Sequence, residues 1–363
     1  LAVARSFNGR QVFKGRGASS NPLGRFEKNA VEQISDGWYE EELPSHLEET
    51  VSPDAARTVI TTNDSPDVGF DLSINPYRGC SHACSYCFAR PSHSYLGLSP
   101  GLDFETKLFY KKDAAPLLEA ELSKPRYVCK PIALGINTDG YQPLERRLGV
   151  TRSILEVLVR YRHPVTIVTK SALILRDIAL LADLAKDQLI SVALSVTSLS
   201  DDLKRVLEPR TASPAARLRV IQELARAGVP VGVMVAPVIP AITDHEMEAI
   251  LQAAHAAGAM FAGYTMLRLP HELKILFRDW LAAHYPDRAK HVMSLVNQAS
   301  GGKDYDARFG VRMRGTGPYA ELIRRRFEIA SRKLGFSGKE ERQRLNTRAF
   351  RPPTTSPQLA LGL

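Results

Sequence analysis

Cys80, Cys84 and Cys87 fall within the ten-residue run Gly79-Cys80-Ser81-His82-Ala83-Cys84-Ser85-Tyr86-Cys87-Phe88, and their type and spacing are suited to iron chemistry. Three thiolates can hold three irons of a [4Fe–4S] cluster, whereas a cluster that only carries electrons normally takes four. The remaining cysteine, Cys129, lies far along the chain in the basic stretch Arg126-Tyr127-Val128-Cys129-Lys130. One iron is then open to a substrate or cofactor, by the logic that separates open catalytic zinc sites from closed structural ones. The residues alone also allow a zinc site completed by His82, His93 or Cys129. Disulfides fit poorly, because three clustered cysteines cannot all pair locally and 4 cysteines in 363 residues suit a reducing compartment.

Such a loop must be carried by a scaffold, and the pattern from Phe70 onward supplies one. Short β-rich runs at Leu72–Tyr77, Ile132–Ile136, Val165–Thr169, Ile190–Val196, Val229–Val238 and Met260–Leu267 read as strands. Apolar residues at helical spacing mark Ile154–Arg160, Leu173–Leu184, Ala215–Ala227 and His245–Ala257, with Gly228 and Gly258 closing the last two. Ser213-Pro214 reads as a helix start and Thr243 or Asp244 as an N-cap. Strands alternating with helices imply a parallel sheet with right-handed crossovers, either open and doubly wound or curved into an incomplete barrel. In both, functional groups gather at the carboxyl ends of the strands.

The motif Cys-x3-Cys-x2-Cys with an aromatic before the last cysteine, here Tyr86, resembles the cluster loop of radical S-adenosylmethionine (SAM) enzymes. The wider run Asn75-Pro76-Tyr77-Arg78-Gly79-Cys80 through Tyr86-Cys87-Phe88-Ala89-Arg90 is similar to the branch related to spore photoproduct lyase, whose members are often labelled DNA-repair photolyase-like. So is Thr138-Asp139-Gly140-Tyr141-Gln142-Pro143-Leu144-Glu145, while Glu208-Pro209-Arg210-Thr211 resembles a Glu-Pro-x-Thr segment of that branch. The resemblance covers about residues 70–270 and implies a partial (β/α)6 TIM-type barrel. It also implies a [4Fe–4S] cluster on Cys80, Cys84 and Cys87 whose open iron binds the amino and carboxylate groups of SAM. An electron then splits the sulfonium to give a 5′-deoxyadenosyl radical, which takes hydrogen from a substrate. The cofactor carries that chemistry and the protein positions it.

Carried onto this sequence, the resemblance puts Tyr86 and Phe88 beside adenine, and Asp139 with Thr138 at the SAM ammonium. Lys170 goes to the carboxylate or ribose and Arg210 to the carboxylate or substrate, while the alternating hydroxyls of Ser195 and Thr197 at the fourth strand end could reach the ribose. Met266, Arg268 and His271 lie at or just past the end of the sixth strand, where one could face the substrate. One position departs from the branch: spore photoproduct lyases carry a hydrogen-donating cysteine two residues before the Ser/Thr-Asp pair, and here Ile136 stands there. A branched aliphatic cannot return a thiol hydrogen, so thymine-dimer reversal by that route is not expected.

The expected organisation is an irregular N-terminal extension over 1–68 with an acidic stretch at Tyr39–Thr50, a radical SAM core over 69–270, a basic helical region over 271–351 and a disordered tail over 352–363. The C-terminal helices are expected at Glu272–His284, Ala289–Gln298 and Tyr319–Leu334. Residues 271–363 hold 18 Lys+Arg against 9 Asp+Glu, which is the whole net charge of +9. Arg324-Arg325-Arg326 and its basic neighbours could attract phosphates, making nucleic acid a candidate partner. A reductant such as flavodoxin or ferredoxin is the other expected partner. No apolar run is long enough to span a membrane and Leu1 to Ser6 lack a signal-peptide core, so a cytoplasmic protein is expected. A non-enzymatic iron–sulfur redox sensor or electron carrier is the competing function.

Overall fold

The computed structural model describes residues 12–27, 47–336 and 345–353. The acidic stretch beginning at Tyr39 falls largely outside the described residues, as does the tail from residue 354. Ten strands occur among the described residues: β1 (Thr50–Pro53), β2 (Ile60–Thr62), β3 (Leu72–Ile74), β4 (Tyr77–Arg78), β5 (Lys107–Tyr110), β6 (Ile132–Leu134), β7 (Val165–Thr169), β8 (Ile190–Ser195), β9 (Val231–Val238) and β10 (Phe261–Met266).

The larger sheet has seven strands in the order β10-β9-β8-β7-β6-β3-β2. From β3 to β10 every neighbouring pair is parallel, and β2 closes one edge antiparallel to β3. The parallel strands follow chain order without reversal, unlike the doubly wound alternative, whose order turns back at a switch point. The helices Val150–Arg160, Ile178–Ala185, Pro214–Arg226 and Met247–Ala256 connect successive strands from β6 to β10. Their apolar faces bury Ile154, Leu158, Leu181, Ile221 and Ile250 against Ile132, Ile167, Val192 and Val233 of the sheet. The carboxyl ends of six parallel strands are thereby held on one edge by a continuous core.

Local chemistry moved several boundaries. The expected strand Leu72–Tyr77 is two strands, because Pro76 lacks the N–H needed to continue a ladder. The chain turns there, and β4 pairs antiparallel with β5 in a three-stranded sheet of order β1-β5-β4. The expected helix Leu173–Leu184 starts as a 3-10 turn, Ala172–Asp177, capped by the Ser171 hydroxyl, which accepts from Leu173 N–H at 3.2 Å. Thr243 does not cap the next helix. Its hydroxyl accepts from Ile239 N–H at 2.8 Å, and a 3-10 turn, Asp244–Glu246, leads into Met247–Ala256.

Beyond β10, helices Leu273–His284, Ala289–Ala299 and Gly317–Lys333 match the expected C-terminal elements within two residues at each end. The first two pack a second core of Phe277, Trp280, Leu281 and Val292 against Leu203 and Leu207, and this core also takes in Cys84 and Tyr86. The segment 12–27 joins it through Phe13 and Ala18. Gly17 marks the closest approach, since a Cβ there would lie 1.9 Å from the Ala83 carbonyl oxygen. The N-terminal strap and the C-terminal helices thus both brace the cysteine loop.

Candidate active site

The loop after β3 carries the three cysteines to the strand ends, and Gly79, at φ +75, allows the turn into it. Four anchors hold this loop. Cys80 N–H donates to the Phe104 carbonyl at 2.9 Å and Ser85 N–H to that of Leu207 at 3.0 Å. The fully buried Gln142 accepts from Ser81 N–H at 2.9 Å and donates to the Gly79 carbonyl at 3.2 Å. Arg90, itself fully buried, donates to the Cys84 carbonyl through Nε at 3.0 Å and Nη2 at 2.8 Å and pairs with Glu105. Glu105 in turn accepts from Ala18 N–H at 2.8 Å and Gly17 N–H at 3.2 Å, which fastens the strap.

The three cysteines line one wall of a cavity of about 270 Å³. The same cavity is lined by Tyr86 and Phe88 of the loop, Asp139 after β6, Lys170 after β7, Ser195 at the end of β8, Pro237 in β9, and Met266 and Arg268 from β10 onward. Eight of the eleven residues assigned to the cluster or to SAM meet here, and of the three substrate candidates Met266 and Arg268 do while His271 does not line the cavity. Thr138 does not line the cavity: its hydroxyl donates to the Tyr77 carbonyl at 2.8 Å. Thr197 is also turned away, donating to Glu208 at 2.8 Å, and Arg210 pairs with Glu49 of the N-terminal region.

The motif around Asp139 is mainly a brace. Asp139 accepts from the Thr169 hydroxyl at 2.7 Å, Lys170 N–H at 2.8 Å and Tyr141 N–H at 2.9 Å, and faces His82 Nδ1 at 3.4 Å. Burial opposes its charge, but His82 and these donors outweigh it and bring its pKa to about 2. Glu145 ties the same motif to its surroundings by accepting from Tyr77, Thr151 N–H and Arg176.

Sequence reasoning missed Arg217, which is 1% exposed. It pairs with Glu208, donates to the Ser195 carbonyl at 2.9 Å and to the Thr211 hydroxyl at 2.6 Å. Glu208 also receives the Tyr86 hydroxyl. Burial opposes the Glu208 charge, yet Arg217 and Lys170 hold its pKa at about 2. The signal was present: Arg217 occupies the stripe completed by Val220, Ile221 and Leu224, where a helix ordinarily shows the core an apolar side chain.

Two features set the electrostatics of the cavity wall. Burial, with the Glu208 charge, pushes the Cys84 thiol up to about 12, and burial raises Cys80 well above its ordinary value. Thiolates at such positions need a cationic partner, and bound metal deprotonates thiols outright. Lys170 has no hydrogen-bond or ion-pair partner at Nζ among the described residues, and its ammonium sits 5.8 Å from the Tyr86 ring centre. Burial would lower its pKa, but the acidic neighbours led by Cys84 and Glu208 raise it, so the cation persists.

The Radical SAM superfamily matches this chain over residues 74–254, which span the cysteine loop and the strand ends just described. The chain belongs to that superfamily. An uncharacterized protein of Mycobacterium tuberculosis is 40% identical over 231 residues, covering 63% of this chain and 68% of the relative. An uncharacterized protein of Methanocaldococcus jannaschii is 28% identical over 178 residues, 49% of this chain and 64% of that one. Among solved structures, spore photoproduct lyase complexed with dinucleoside spore photoproduct superposes with a TM-score of 0.56 at 15% identity, covering 79% of this chain and 80% of that chain. A spore photoproduct lyase mutant with bound AdoMet and dinucleoside spore photoproduct gives 0.54 at 15% identity over the same shares. The radical SAM fold of this chain is therefore shared with that lyase. Membership of the superfamily implies SAM and an iron–sulfur cluster as cofactors. No helix among the described residues is long and apolar enough to cross a membrane.

The basic C-terminal arginines are not free charges. Arg324 pairs with Glu321 and Glu328, Arg325 with Glu321, and Arg326 with Glu248. Exposed pairs of this kind contribute little stability, but they offset the positive field that phosphates would meet.

Proposed function

We propose that this radical SAM protein reductively cleaves SAM at a [4Fe–4S] cluster and uses the resulting radical to take hydrogen from a substrate in the same cavity. The observation that carries the reading is the shared cavity, whose walls bring Cys80, Cys84 and Cys87 together with Lys170, whose ammonium makes no direct hydrogen bond or ion pair among the described residues. A protein built only to relay electrons has no use for about 270 Å³ of space beside its thiols. Three thiolates can each take one iron of a cluster and leave the fourth iron open to SAM. Six parallel strands in chain order support the (β/α)6 partial-barrel reading of residues 69–270.

When bound, the cluster would supply the electron that splits the sulfonium of SAM. The chain's own groups do the positioning. Lys170 would hold the SAM carboxylate as a point charge, Ser195 would meet the ribose, and Phe88 would offer its ring to adenine. Tyr86 would keep the adjacent wall rigid, its hydroxyl fixed by Glu208. Asp139 would present its remaining acceptor capacity to the SAM ammonium. Ile136 lines the cavity where a spore photoproduct lyase places its donor thiol, so the reaction would not be thymine-dimer reversal by that route. A flavodoxin or ferredoxin would supply the electron in the cell.

The test is anaerobic reconstitution with iron and sulfide, followed by reduction with dithionite in the presence of SAM. Formation of 5′-deoxyadenosine well above a Cys84→Ala control is expected. Equal yields from the two proteins would sink the enzyme reading and favour a redox sensor or carrier.

A further inference from the structure

The cavity holds a second cation that the reading above leaves unused. Arg268 follows β10, at the end of the sheet away from β6 and Asp139, and lines the cavity. Its guanidinium lies 4.8 Å from the Phe88 ring centre, and Nη1 approaches the Met313 sulfur at 3.4 Å, a weak acceptor. Its Nε is buried without any hydrogen-bond partner. No carboxylate forms an ion pair with Arg268 among the described residues, and the acid whose charge it feels, Asp67, already accepts from Gly310 N–H at 2.6 Å and pairs with Arg312. A buried N–H of a permanent cation is costly to leave without an acceptor, and native structures rarely do so without a reason. The cavity it lines is rich in apolar side chains, Ile136, Val168, Met234, Met266 and Met313, with Asn137 and Thr265 among its polar ones.

We propose that Arg268 recognises an oxyanion, carboxylate or phosphate, on a substrate whose body is apolar and fills the rest of the cavity. The proposal rests on the reading of this cavity as the radical site, and names the class of molecule it takes. A guanidinium offers two parallel N–H donors to two oxygens, a geometry that a lysine lacks. With Nη1 turned to Met313, Nη2 is the donor open to the anion, and the buried Nε–H beside it completes the fork once the side chain shifts toward the bound oxygens. Stacking on Phe88 holds the plane of that fork. Lys170, the other cation of the cavity without a direct ion pair among the described residues, follows β7, three places along the sheet from β10. The carboxylate of SAM and the anion of the substrate thereby have separate receptors, and neither cation has to serve both.

The experiment uses anaerobically reconstituted, unreduced protein with SAM present, and follows phenyl phosphate, benzoate and neutral phenol by ligand-observed NMR titration. At least one anion is expected to bind about tenfold or more tightly than phenol, the size of one charge-assisted contact. Arg268→Gln should bring that ratio to about one to two, while Arg268→Lys should keep part of it, since the charge remains and the fork is lost. Because the ratio is taken within one variant, a general loss of fold lowers all three ligands together; Arg268→Met repeats the comparison if the glutamine variant does not fold. Tighter phenyl phosphate assigns a phosphate-bearing substrate and tighter benzoate a carboxylate. No anion preference in the wild type, or a preference that survives both neutral variants, overturns the proposal. SAM cleavage is measured on the same preparation: its absence would refute the proposed reaction while the anion preference is still read independently.

Discussion

Removing the Arg217 guanidinium while keeping its bulk, Arg217→Met, strands Glu208 in a buried site among Tyr86, Thr197 and Lys170. Lowering a carboxyl from its ordinary 4.5 to about 2 corresponds to about 3 kcal/mol of stabilisation at neutral pH, much of it from Arg217. Breaking a buried pair from one side costs about 3–5 kcal/mol in general, because the remaining charge is left uncompensated. The two routes agree, so Arg217→Met should lose about 3 kcal/mol in urea denaturation at pH 7. The double variant Glu208→Gln/Arg217→Met removes both charges and should recover at least about half of that loss. The Glu208 pKa is depressed in the folded state, so its stabilisation is complete above 4.5 and lost as pH falls toward 2. The deficit of Arg217→Met should accordingly shrink below pH 4.5, where the stranded carboxyl takes up a proton. A cost under about 1 kcal/mol at pH 7, or a double variant no more stable than the single one, would refute the argument that this pair is a coupled buried unit.

Gln142→Leu leaves Ser81 N–H and the Gly79 carbonyl without partners, each at about 1–3 kcal/mol, and should speed iron loss to a chelator; unchanged iron retention would count against Gln142 as an anchor of the loop. Gly17→Ala forces a methyl group to within 1.9 Å of the Ala83 oxygen, so the strap must shift, and the reconstituted protein's visible absorbance should bleach faster in air than wild type. His163 is buried with its pKa lowered to about 4 by burial, its Nε2 2.7 Å from the Tyr127 hydroxyl and its Nδ1 3.0 Å from the Pro164 carbonyl. Because the unfolded chain binds that proton near pH 6.5 and the folded one does not, His163 costs up to about 3 kcal/mol as pH drops from 6.5 to 4. His163→Phe should flatten that part of the stability profile, and superimposable profiles for the two proteins would exclude the assignment.

The cysteine loop and the order of the elements were readable because they depend on local patterns: a spacing of thiols, and periods of two and 3.6. Strand β7 appears with the bounds that alternation predicts, and the helices between strands lie within a few residues of their apolar stripes. What escaped the sequence is set by contacts between distant segments. Thr138, Thr197 and Arg210 stand next to strand ends, and position alone nominated them for the cavity. Their side chains satisfy Tyr77, Glu208 and Glu49 instead, because a hydroxyl or guanidinium goes to the nearest buried or acidic partner that the tertiary fold supplies. His82, which the residues alone offered as a zinc ligand, faces Asp139, and the motif residues Gln142 and Glu145 serve the cysteine loop and its flanks. Arg217 is the instructive omission: a charge inside an apolar helical stripe was visible, but its partner lies in the turn that precedes the helix.

Met266 N–H donates to the Met313 carbonyl at 2.9 Å, and Met313 lines the same cavity as the cysteine loop. The wall is therefore finished by a segment made long after the thiols. At about 5–20 residues per second, the ribosome needs on the order of 10–45 s to pass from Cys87 to Met313. For the later part of that interval Cys80, Cys84 and Cys87 are outside the tunnel while the chain that will enclose them is still incomplete. Metal delivery during synthesis would meet an open half-site, whereas delivery to the finished protein would meet a cavity whose wall Met313 has completed.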